Sequence, residues 1–167
     1  RERKMPTPTY VALATTTLGS DSASVTFSSI PATYRDLVLV INGNTTRSGT
    51  ANDINLTVNG SSTSYYYTTM AGTGSSTSVD GGSNDSRIRI ANAGASATGV
   101  NLVQFFDYSV TDKHKTILAR NNSAAWLTNA LAGRWANTNA ITSIAIASNV
   151  TGSIASGTTV SLYGIAS

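Results

Sequence analysis

Asp36-Leu37-Val38-Leu39-Val40-Ile41 decides the fold. Successive side chains of a strand point to opposite faces, so a run that is apolar at every position after Asp36 must be covered on both sides. Such a strand belongs at the centre of a sheet. Pro31 upstream breaks strand pairing, and Asn42-Gly43-Asn44 downstream supplies residues that tolerate the positive φ of a tight turn.

The segments flanking this one repeat the strand signal. Tyr10 to Leu18 and Ser24 to Phe27 read as two strands, and Gly19-Ser20-Asp21-Ser22 between them reads as the turn of a hairpin. Downstream, Ile54, Leu56 and Val58 alternate with Asn55 and Thr57, which predicts one buried and one wet face. Ser64 to Met70 places Tyr65 and Tyr67 on one face and Tyr66 on the other. Ala71 to Ser86 has Val79 as its single large aliphatic residue and reads as an exposed, mobile loop. Arg87 to Ile90, Val100 to Tyr108, Lys115 to Asn121, Ile144 to Ile146 and Val160 to Ile165 continue the series, with Val100 to Tyr108 a second central strand. Leu127 and Leu131 are spaced as on an amphipathic helix, but Gly133 and the flanking asparagines favour a strand ending near Trp135. About ten strands at this spacing describe an all-β sandwich or barrel.

Reactive chemistry is scarce in the 167 residues, which hold one histidine, His114, no cysteine and one glutamate, Glu2. Without cysteine there is neither a disulfide framework nor a thiolate metal site, so stability must come from burial, sheet hydrogen bonds or oligomerisation. No run approaches the roughly 20 apolar residues that span a bilayer, and RERKMPTP lacks an apolar signal core; the expectation is a soluble chain with no membrane association and no export signal. Of the net charge of +3, Arg1, Arg3 and Lys4 against Glu2 account for most, leaving 8 basic and 7 acidic residues elsewhere. So few charges, without interleaved aromatics, argue against nucleic-acid binding. Residues 1–8 read as a basic, flexible arm whose Arg1, Arg3 and Lys4 are candidate partner contacts, and residues 9–167 as a single sandwich domain.

Four stretches together resemble a family of small tailed-bacteriophage virion structural proteins: FSSIPATYRDLVLVINGNT (27–45), DKHKTILAR (112–120), GRWANTNAITSIAI (133–146) and SGTTVSLYGI (156–165). The resemblance spans nearly the whole body from Tyr10 onward. It implies an antiparallel jelly-roll-like or Greek-key β-sandwich, no catalytic motif, no cofactor, and assembly on a virion. Some members attach to capsids and others to tails or fibres. The expected role is therefore a capsid decoration or cement protein on the outer capsid, partnered by the major capsid protein or other virion proteins. The alternative is a tail-fibre or receptor-binding module that recognises host surface glycan.

Individual residues mostly have plain explanations. His114 in Asp112-Lys113-His114-Lys115 reads as an exposed corner residue, with no second histidine or nucleophile motif to complete a catalytic set. Asp80-Gly81-Gly82-Ser83-Asn84-Asp85 lacks the ligand spacing of a calcium hand and reads as a turn; Asp107 and Asp112 read as a hairpin corner rather than a glycosidase pair. Tyr65, Tyr66 and Tyr67, with Trp126 and Trp135, could stack sugars, although a chain with few aromatics needs most of them in its core or at subunit contacts. Asn55-Leu56-Thr57 and Asn149-Val150-Thr151 match the glycosylation triplet through sheer abundance of these residue types. A nearly neutral body with few charges offers little resistance to self-association, and a homotrimer is the first expectation.

Overall fold

A computed structural model describes residues 8–48, 52–92, 95, 98–124, 127–149 and 152–166. Twelve strands follow one another: β1 (Tyr10–Thr17), β2 (Ser24–Phe27), β3 (Asp36–Gly43), β4 (Asp53–Val58), β5 (Tyr65–Gly72), β6 (Thr77–Asp85), β7 (Ile88–Asn92), β8 (Gly99–Phe106), β9 (Lys115–Ser123), β10 (Thr128–Trp135), β11 (Ile144–Ser148) and β12 (Thr159–Ile165). All pairings are antiparallel. One sheet has eight strands in the order β1-β12-β3-β8-β9-β10-β5-β6, and the other has four in the order β2-β11-β4-β7.

The core lies between these two layers, as an antiparallel sandwich requires. Leu37 and Leu39 of β3 meet Phe105 and Val103 of β8 across the register, Ile41 beside them meets Asn101, and Ile117 of β9 lies opposite Phe105. Facing them are Ile54, Leu56 and Val58 of β4, Ile88 and Ile90 of β7, and Ile144 and Ile146 of β11, all buried. Each such aliphatic side chain contributes about 1.5–3 kcal/mol relative to exposure, so β3 is held chiefly by its own alternation. Val38 is buried on the opposite face of the same strand, as the uninterrupted apolar run requires. A Cβ on Gly164 would lie 2.3 Å from the Tyr34 ring, so glycine is what lets that ring seat against β12.

Three expectations fail. The Tyr10 to Phe27 region is not a hairpin, because β1 pairs with β12 in one sheet while β2 pairs with β11 in the other. The turn residues carry the chain between layers: Leu18 N donates to Thr158 O at 2.9 Å, and Ser22 N donates to Ile154 O at 2.9 Å. That crossing lets Val25 and Phe27 point into the core from the second sheet. The segment Ala71 to Ser86 is not a loop either. It completes β5, turns at Thr73–Ser76 and returns as β6 on the rim of the large sheet. A rim strand needs backbone pairing on one side only, so small polar residues suffice where a central strand would need apolar ones. Asp80 to Asp85, expected as a turn, lies within β6, where the missing side chain of Gly82 admits the Tyr67 ring.

Candidate interaction face of the large sheet

Alternation sends every second residue of β5, β8, β9 and β10 away from the core. On β9 these are Thr116, Leu118, Arg120 and Asn122, and on β10 Thr128, Ala130, Ala132 and Arg134, all exposed. Register aligns Ala132 with Leu118 and with Thr68, and Ala130 with Arg120 and with Met70. Two alanines between larger neighbours leave a trough of about 350 Å³, lined by Met70, Leu102, Gln104, Leu118, Ala130 and Ala132. It continues toward Val79, the register partner of Met70. Met70 is 62% exposed, Val79 73%, Val100 48% and Leu118 41%, and no described side chain covers them. The outward positions of these four strands carry Arg120 and Arg134 and no carboxylate. The Arg134 guanidinium lies 4.6 Å from the centre of the Tyr66 ring, a cation–π contact that fixes both side chains.

The acidic residues gather elsewhere. One guanidinium nitrogen of Arg89 faces Asp80 at 3.3 Å and Asp53 at 3.8 Å, and its Nε donates to Tyr67 Oη at 2.8 Å. Burial raises the Asp53 carboxyl above its ordinary range, with Arg89 and the Asn149 amide pulling against it. A cation occupies the ground between the two carboxylates, so they do not form a free acid–base pair. Among the described residues no group of three or more His, Cys, Asp or Glu side chains is placed to hold a metal ion.

The tyrosine platform does not form as the sequence suggested. Tyr65 is fully buried, its hydroxyl accepting from Val58 N at 2.8 Å, and Tyr67 is buried beside Arg89; Tyr66 alone faces outward. Strand geometry forbids the three adjacent rings from sharing a face. Trp135 is buried with Nε1 donating to Ser61 Oγ at 3.2 Å, while Trp126 lies outside the described residues. Arg1, Arg3 and Lys4 also lie outside them. His114 is exposed at the corner between β8 and β9, where Lys113 pairs with Asp107 at 2.9 Å and draws its carboxyl below the ordinary range. Asn55 is buried, with its amide donating to Asn149 Oδ1 at 3.3 Å, so this triplet does not present a free acceptor. The trough itself was not legible as a site, although the Ala130/Ala132 alternation beside Leu118 is its trace in the sequence.

Fold and face together define an antiparallel β-sandwich whose larger sheet exposes, over β5, β8, β9 and β10, an outer surface without carboxylates. No protein-family model matches the chain, and no curated protein matches its sequence. Among solved structures it is similar to a protein of unknown function, SO2946 from Shewanella oneidensis MR-1, at 9% identity over 93% of this chain and 75% of that one, with a TM-score of 0.28.

Proposed function

We propose that this protein is a non-enzymatic structural protein of a phage virion, a capsid decoration or cement module seated on its neighbour through the outer face of the eight-stranded sheet. The class comes from the resemblance carried by residues 27–45, 112–120, 133–146 and 156–165. The observation that carries the mode of attachment is the apolar, carboxylate-free trough around Leu118 and Met70. Uncovered aliphatic side chains beside a lone pair of arginines fit a partner surface that offers apolar side chains rimmed by carboxylates, since guanidinium groups recognise carboxylates through paired donors. The same rule disfavours two copies stacking this face on itself, because Arg120 and Arg134 would meet their own kind. A homotrimer on the particle then uses other surfaces for its self-contacts.

The test is occupancy on particles assembled without this protein and then supplied with it. Leu118→Asp and Met70→Asp together should reduce occupancy at least tenfold while leaving the unfolding midpoint in place. Unchanged occupancy would remove the trough from the attachment, and a particle reconstruction showing the chain only at the tail tip would remove the decoration role. A second reading, host-glycan recognition by a tail-fibre module, rests on outward Tyr66 and the shallow surface it shares with Thr68, Ala132 and Arg134. Glycan binding that is abolished by Tyr66→Ala would favour it.

A further inference from the structure

The alternation that puts Val103 and Phe105 into the core puts Asn101 there too. Asn121 follows Ala119 inward on β9, and Asn129 precedes Leu131 on β10. Register sets Asn101 opposite Asn121 and Asn121 opposite Asn129, so three amides form a row across three adjacent strands on the inner face. Asn101 is 1% exposed, and among the described residues neither its amide nitrogen nor its amide oxygen has a hydrogen-bond partner. Asn121 donates to Ile90 O at 3.0 Å from the facing sheet, but its Oδ1 is unpartnered, as are Asn129 Oδ1 and Ser123 Oγ. At the same end of the sandwich Asn52 donates to Thr45 Oγ1 at 3.0 Å and Ser148 Oγ at 2.8 Å, and its own Oδ1 is also unpartnered.

Buried polar atoms in folded proteins are almost always hydrogen-bonded, to ordered water when not to protein. Orphans concentrated at one end therefore mark a place that holds a guest. The guest must donate protons, because most of the orphans are oxygens. It must also accept one, because Asn101 Nδ2 is a donor. A metal ion would satisfy the oxygens and strand that nitrogen, whereas water does both. We infer that the asparagine end of the sandwich is an internal hydration site, holding about two ordered waters at the usual three hydrogen bonds each.

Oxygen-17 magnetic relaxation dispersion on the intact protein tests this, since it registers waters that stay bound longer than the molecule tumbles. About two long-lived waters are expected in the native chain, and Asn101→Leu should remove at least half of that signal by filling their space with an apolar side chain. Absence of long-lived water in the native protein would overturn the inference, and a signal unaltered in a folded Asn101→Leu variant would overturn its location. Should that variant not fold, Asn101→Thr keeps one polar group and is expected to lower the signal partially. Thermal shifts with sodium or potassium at constant ionic strength supply the remaining arm: an ion-specific rise that disappears in the Asn101 variant would overturn water in favour of a bound cation.

Discussion

At the end of the sandwich where β5 begins and β10 finishes, Tyr65, Tyr108, Trp135 and Lys115 are buried with their polar atoms bonded, whereas at the opposite end Asn101 is buried with neither of its own bonded to any described residue. The partners at the first end are mostly backbone carbonyls from the connections between strands: Pro31 O accepts from Tyr108, and Val110, Lys113 and Thr138 accept from Lys115 Nζ. A long side chain with a polar tip can leave the core and reach such a carbonyl; the short amide of Asn121 reaches only Ile90 O on the sheet directly facing it, and Asn101 has no such carbonyl within reach among the described residues. Reach, more than polarity, separates the two ends.

The largest expected effect comes from emptying the aromatic end. Trp135→Ala should lower the unfolding free energy by about 3–5 kcal/mol, the usual range for removing a buried aromatic, measured by urea denaturation. Lys115→Met comes next: it keeps the buried stem and strands three carbonyls, and about 1–3 kcal/mol of destabilisation is expected from the same measurement. A stabilised Lys115→Met would show that desolvating the ammonium outweighs its hydrogen bonds.

Alkaline pH sharpens the comparison because that end is rich in buried titratable groups. Burial raises the phenols of Tyr65 and Tyr108 above 10.0, so the folded state holds protons that the unfolded state releases; their contribution is intact below pH 10.0 and is lost as pH rises through the folded values. Burial lowers the Lys115 ammonium below 10.5, with Asp112 and Asp107 partly opposing, so below 10.5 the unfolded state binds more protons and stability rises with pH. Urea midpoints should therefore climb toward about pH 10 and fall beyond it, and Lys115→Met should erase the climb while keeping the fall. At the asparagine end the expected change is the smallest. Asn101→Leu should shift stability by less than about 1 kcal/mol if waters already satisfy the amide, whereas a dry amide would make the leucine variant more stable by about 1–3 kcal/mol.

Reading by alternation recovers β3 and β8 as central strands and separates Tyr66 from Tyr65 and Tyr67, because both conclusions follow from a two-residue period alone. It misplaces Gly19 to Ser22 because a turn composition does not say whether the chain returns to the same sheet or crosses to the other. It misses β6 because backbone pairing at a rim leaves no apolar signature. The asparagine row escapes notice for a related reason: Asn is ordinarily a turn residue, and although alternation turns Asn101 and Asn121 inward with Val103 and Ala119, only the register of β8 on β9 sets them side by side. The trough depends on the same register, which brings two small residues beside Leu118 and Met70.

β12 stands between β1 and β3, and β11 stands between β2 and β4. During synthesis the first strands therefore leave the ribosome without their neighbours, and more than a hundred residues separate Tyr10 from its partner Ile165. At about 5–20 residues per second the early strands wait many seconds with their edges unpaired. Neither sheet can close until its keystone arrives, so pairings this distant in sequence make completion slow. A cell making many copies at once would hold a pool of open, edge-bearing nascent chains, and the threonines that end β1 with the small polar residues of β6 limit their tendency to pair with one another before the last strands are in place.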